Sequence, residues 1–206
     1  MAETQGSATR SAYLELRDER QLVHEGYEFL DEKRTLLAAR LIELIDRHRS
    51  LQRDFREQYA TAVVALAGAI GRHGLDGLSV YPPLDADPAP LTTSRGRFLG
   101  IELIDFALAT EQMAEAGRAV LTSPEVRACV ARYRDLLGDL AAIAGVECSL
   151  RRLEREFVRT DRRAKALENV LLPEIDATLK QMDEQLEGVQ LEEGVRMLHA
   201  ARRRAG

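Results

Sequence analysis

Leu16, Val23, Leu30, Leu37, Leu44 and Leu51 recur at an unbroken spacing of seven. Such a column is the d position of a heptad repeat, and a strict seven-residue period on an α-helix imposes a left-handed supercoil against a partner helix. The matching a column reads Arg20, Tyr27, Arg34, Leu41, His48 and Phe55. Polar residues alternating with apolar ones at this position specify register more than they maximise stability. No proline interrupts residues 9–70, and only Gly26 and Gly68 stand within them, so one helix is predicted from Thr9 or Ser11 to about Arg72. Beyond Leu51 the apolar positions are Phe55, Tyr59, Ala62, Leu66 and Ile70, where two successive steps of four form a stutter that relaxes the supercoil.

A second long helix is predicted from Ser123-Pro124-Glu125, which supplies an N-cap, a proline at the first helical position and an acid in the first turn. It can continue to about Arg204, interrupted only by Pro173, and its length of about 80 residues corresponds to roughly 120 Å. Its apolar positions include Leu153, Phe157, Thr160, Ala164, Leu167, Leu171, Ile175, Leu179, Met182, Leu186 and Val189. Paired steps of four at Leu171 and Ile175 coincide with the kink expected at Pro173. A leucine-lined helix must be covered. The two ends are therefore predicted to pair as an antiparallel coiled coil, with Leu16 near Val195 and Leu66 near Arg151.

Between them the pattern changes. Gly71, Gly74 and Gly77 end the first helix, and Tyr81-Pro82-Pro83 through Pro90 reads as loop. Thr92-Thr93-Ser94 and Phe98–Ile104 flank Arg95-Gly96-Arg97, which predicts a small β-hairpin turning at that glycine. The expected fold is all-α, with helices over 9–72 and 123–204 and a middle region over 73–122 made of loops, a short helix and the hairpin.

Composition adds limits. The 206 residues are 31% charged and 45% hydrophobic, with 5% aromatics and no Trp, a mix suited to long helices rather than to one bulky core. The net charge of −5 gives no reason to expect nucleic acid. No apolar stretch approaches the ~20 residues of a bilayer helix, and Met1–Ser11 lacks a signal-peptide core, so no membrane insertion is expected. Cys129 and Cys148 lack metal-site spacing and read as reduced, buried thiols. His24, His48, His73 and His199 are scattered, with no two placed as ligands on one helix face. No catalytic, cofactor-binding or metal-ligating set emerges, and a long coiled coil offers little of the concavity that catalysis needs. One charge feature stands out. Residues 151–165 hold seven basic side chains against three acids, whereas 168–193 hold eight acids against Lys180 alone. An uneven solvated surface would look the same, but such banding also orients charged partners.

Three segments resemble one known family. Leu14 to Arg20, followed by Gly26-Tyr27-Glu28-Phe29-Leu30-Asp31-Glu32-Lys33-Arg34, is similar to that family's leading helix with its "G..LLK.KR" pattern. Phe98-Leu99-Gly100-Ile101 is similar to its "MG(V/I)" turn-and-strand segment, and Thr160 to Pro173 to its "T.RRVNALE.V.IP", with Ala164-Lys165 replacing Val-Asn. On these residues the chain resembles the D subunits of V-type and A-type (archaeal-type) ATP synthases, the central rotor shaft. The resemblance implies that the terminal helices form a shaft whose tips enter a ring of catalytic A and B subunits. It implies that the middle region meets the F subunit and the component linking to the membrane rotor, and that ATP chemistry, with its cofactors, lies in the ring. It points to Lys33, Arg34, Gly100, Arg162, Arg163, Glu168 and Pro173 as family-motif and partner-contact residues, and to a cytoplasmic location peripheral to the membrane. Two other readings remain open at this point: a stand-alone coiled-coil adaptor, and a small-molecule enzyme built on the middle loop.

Overall fold

The computed structural model describes residues 9–81, 91–110 and 123–205. They fall into two compact units, one formed by the residues up to Thr35 with those from Val158 onward, the other by Leu36–Phe157. Helix α1 spans Arg10–Leu78. Thr9 caps it, its Oγ1 accepting from the Ala12 N–H at 3.2 Å. The helix passes its expected end at Arg72. It leaves helical geometry only at Gly74, whose φ of 69° is a left-handed conformation that glycine adopts at no steric cost.

Helix α2 spans Pro124–Ala166. It begins as its sequence predicts, with Ser123 Oγ accepting from the Val126 N–H at 3.2 Å and the Ser123 carbonyl accepting from the Arg127 N–H at 3.1 Å. The expected kink at Pro173 takes the form of a π-helical turn over Leu167–Leu171, after which α3 runs Leu172–Ala205. The Leu172 N–H reaches back five residues to the Leu167 carbonyl. One extra residue is thus inserted just before the proline, whose missing N–H would break an ordinary turn.

Strands β1 (Leu91–Phe98) and β2 (Ile101–Leu108) pair antiparallel without a bulge, from Leu91 opposite Leu108 to Phe98 opposite Ile101. The hairpin is present, but its turn is not at Gly96, which lies within β1 opposite Leu103. The turn is Leu99-Gly100, with φ of 49° and 82°. Two consecutive positive φ values mark the two-residue turn whose twist matches that of the flanking strands. The Pro-rich loop expected over 82–90 lies outside the described residues, as do 111–122, the remaining stretch in which a short middle helix would stand.

Within Leu36–Phe157 the core has two centres. Leu37, Leu44 and Leu153 are buried, with Leu41, Phe98, Ile101, Leu103, Leu150 and Phe157 packed against them. Ala69, Val126 and Cys129 form the second, covered by Leu66, Leu78, Tyr81 and Tyr133 among others. Among the described residues of the other unit, Thr160, Ala164 and Ile175 are buried. The helices are antiparallel, but the expected alignment is displaced by about four turns or more. Leu66 packs beside Cys129 rather than Arg151, and Val195 is exposed rather than opposite Leu16. The expectation matches the ends of the helices, whereas the alignment is decided along the seam.

Candidate functional site

The seam of the terminal unit carries three polar rungs. Arg20 forms an ion pair with Asp176, Tyr27 faces the Glu168 carboxylate, and Arg34 lies 3.3 Å from Asp161. On α1 these residues are one heptad apart. On the opposing helix the step from Asp161 to Glu168 is also a heptad, but that from Glu168 to Asp176 is one residue longer. The longer step spans most of the π turn, so the inserted residue is absorbed there and the next rung stays in phase. Gly26 lies between the first two seam levels. A methyl group added there would sit 3.9 Å from the Leu167 side chain, so the glycine lets that leucine approach α1.

Electrostatics follows from these contacts. The hydrogen bond from Lys165, at 2.8 Å, does most to hold the Asp161 carboxyl below its ordinary range, with Arg34 assisting against a smaller opposing effect of burial. Arg20 does the same for Asp176. Burial raises the Tyr27 hydroxyl, and the Glu168 charge pushes it further in the same direction. Arg34 also pairs with Asp31 on its own helix at 2.6 Å.

The sequence-predicted seam residues lie as follows. Leu37 and Leu44 are buried, whereas Leu16, Val23, Leu30, Leu51, Leu167, Leu171, Leu179 and Leu186 are half-buried. Lys33 and Arg34 are half-buried, while Arg162, Arg163, Glu168 and Pro173 are exposed, and Gly100 is the second residue of the hairpin turn. Arg34 and Glu168 thus meet the seam, and Arg162 and Arg163 face solvent. Sequence patterning alone misses Asp161 and Asp176. The signal that finds them is a set of acids stepping by seven and then, across the π turn, by eight opposite the polar a column, which requires the correct alignment.

In the other unit, α2 holds the hairpin along one face made by Gly145, Ser149 and Arg152. Ser149 Oγ accepts from the Ile104 N–H at 2.8 Å and donates to the Ile104 carbonyl at 2.9 Å. The Arg152 guanidinium donates to the Glu102 carbonyl at 3.1 Å and to its side chain at 3.0 Å. That contact is the main cause keeping the Glu102 carboxyl below its ordinary range. Gly145 is obligatory for this docking, since an added Cβ would stand 2.6 Å from the Phe106 nitrogen. From α1, Arg47 reaches Asp105 at 3.3 Å and Arg40 lies over the Phe98 ring at 5.9 Å.

A second polar group closes the far end of this unit. Arg72 pairs with Glu125 at 2.6 Å, and His73 shares a hydrogen bond of 2.8 Å with Ser123. Burial raises the Cys129 thiol, which suits an inert core residue. Asp139 is placed differently from the paired acids. Its Oδ2 is buried without a hydrogen-bond partner among the described residues, and burial, with Asp135 and Asp54 nearby, raises its carboxyl above the ordinary range. Among the described residues no three His, Cys, Asp or Glu side chains converge on a metal position, and no helix is long and apolar enough to cross a membrane.

Residues 12–202 match the family model of the ATP synthase D subunit. The chain is 24% identical to the V-type ATP synthase D subunit of Thermotoga neapolitana, covering 92% of this chain and 93% of that protein. It is 28% identical to the A-type ATP synthase D subunit of Thermococcus gammatolerans, covering 92% and 90%. To the A-type D subunit of Methanoregula boonei it is 26% identical, covering 92% of each chain.

Proposed function

The chain belongs to the ATP synthase D subunit family, central-stalk subunits of V/A-type ATP synthases, and from that premise we propose that it is the non-catalytic rotor shaft of such a complex. In this reading helices 9–72 and 123–204 form the shaft inside a ring of A and B subunits. The middle region, 73–122, meets the F subunit and the component leading to the membrane rotor. Proton or sodium flow turns the shaft, and its unequal faces bias the conformation of each surrounding catalytic site, a coupling through differential contacts. The protein would reside in the cytoplasm, peripheral to the membrane.

The observation that carries the reading is the polar-runged antiparallel seam within a family match that spans nearly the whole chain. A shaft under torque must keep one alignment, and charged or polar a positions specify alignment at some expense of stability. Arg162 and Arg163, exposed on α2, are proposed as contacts to the ring, with Lys33, Gly100 and Pro173 as further partner contacts. Arg34 and Glu168 serve the shaft's own alignment. The test is deletion of the gene followed by isolation of the ATPase. Loss of ion pumping with the A and B subunits still present is expected, and recovery of an intact, ATP-driven pump without this chain would overturn the proposal.

A further inference from the structure

The two edges of the hairpin are treated differently. Both main-chain groups of Ile104 bond to Ser149, so both point away from β1. In an antiparallel ladder the residue opposite such a residue also turns its N–H and C=O outward, and the property repeats every second residue. Arg95 is opposite Ile104, with Thr93 opposite Phe106 and Arg97 opposite Glu102. Thr93, Arg95 and Arg97 therefore present a row of main-chain donors and acceptors along the far edge of β1. Residues 91–97 are all exposed.

Open edges invite further pairing, and proteins usually blunt them with short strands, bulges or proline. Here β1 is eight residues long, pairs without a bulge and contains no proline. It carries Arg95 and Arg97 and no acid. Those charges disfavour a second copy of this chain, because two β1 strands side by side would bring arginines together, and like charges on neighbouring strands are destabilising. They favour carboxylates. Arg95 already meets one, Glu102 at 3.3 Å, while its side chain stays 68% exposed.

We propose that the outer edge of β1, unpaired among the described residues, receives an extended, acidic segment of a partner subunit as an added strand. The main chain of that segment bonds to Thr93, Arg95 and Arg97, and its Asp or Glu side chains meet the two guanidinium groups. Main-chain pairing supplies affinity in this mode and the side chains supply selection. The inference rests on the reading of the chain as part of an ATP synthase complex, since that complex provides the partner.

Hydrogen exchange on the purified complex and on the isolated chain tests it. In the complex the amides of Thr93, Arg95 and Arg97 should exchange at least about tenfold more slowly than in the isolated chain. Those of Thr92, Ser94 and Gly96, bonded within the hairpin, should be protected in both. Arg95→Pro removes only an outward N–H and is tolerable on an edge strand. It and Arg97→Glu should each reduce the protection gained at the remaining edge amides, while continued protection of the Ile104 amide reports an intact hairpin. A Thr93→Cys crosslink in the complex should land on a partner segment rich in Asp or Glu. Unchanged exchange at the three amides in a complex that contains A and B subunits would overturn the edge proposal and leave the proposed function standing. A chain that never co-purifies with those subunits would overturn both.

Discussion

Between Leu36 and Phe157 the helices are joined by buried leucines, a docked hairpin and a glycine in contact with a strand. Between the terminal segments the seam leucines are half-buried and the specific contacts are polar rungs. The two regions share one antiparallel topology but divide its tasks. Removal of apolar surface from water stabilises the first. The second gains little from exposed ion pairs, whose worth is small, but it gains a unique alignment, because each Arg or Tyr on α1 finds its acceptor at one level only.

The contrast can be broken most strongly in the core. Leu153→Ala, at a fully buried site, should destabilise by about 3 kcal/mol, whereas Leu171→Ala on the half-buried seam should cost about 1 kcal/mol. Urea unfolding of both variants checks this, and equal losses would remove the distinction. Next in size is the hairpin dock. Gly145→Ala should cost about 2 kcal/mol because the added methyl group meets backbone, and Ser149→Ala about 1–3 kcal/mol because both groups of Ile104 lose their partner. Gly68→Ala, which meets nothing within 4 Å, should instead stabilise by about 0.5–1 kcal/mol through helix propensity.

Smaller effects separate the regions by pH. The raised Asp139 carboxyl penalises the folded state where it is ionised, so Asp139→Asn should raise the urea midpoint at pH 7. That gain should fade as the pH falls through the raised folded value and vanish below the unfolded value of about 4, where the Asp139 carboxyl is protonated in both states. Asp176 has the opposite sign. Its lowered folded value contributes stability that is present above the unfolded value of about 4 and lost as the pH falls through the folded one. Asp176→Asn should therefore lower the midpoint slightly at pH 7, with the difference closing in acid and in high salt. A loss unaffected by either would show that Asp176 acts by packing rather than by charge.

Features governed by neighbours along the chain are legible in the sequence alone. The d column, the Ser123-Pro124 helix start and the existence of a hairpin follow from periodicity, capping and β-branched flanks. What escapes such a reading depends on residues far apart. The leucine column is nearly self-similar under shifts of seven, so it leaves the alignment open, and the acids opposite Arg20, Tyr27 and Arg34 help to break that degeneracy. Composition favours a turn at Gly96, a glycine between polar residues, yet a turn at Leu99-Gly100 lets β2 set its apolar side chains against Leu37, Leu44 and Leu153. The family-like Phe98-Leu99-Gly100-Ile101 segment already points there. Nothing local distinguishes Ser149 from an ordinary helical serine, since its partner is 45 residues away. The π turn has only an indirect trace, the paired steps of four beside Pro173.

The rungs join residues separated by 127 positions at Arg34 and Asp161 and by 156 at Arg20 and Asp176. On the ribosome the amino-terminal helix therefore emerges long before its partner exists, and at about 5–20 residues per second it waits on the order of ten seconds or more. A wholly apolar seam would be an adhesive surface for that interval. The arginines and tyrosine that later fix the alignment first keep the lone helix hydrated, so the same side chains that make the finished pair specific also protect the unfinished chain.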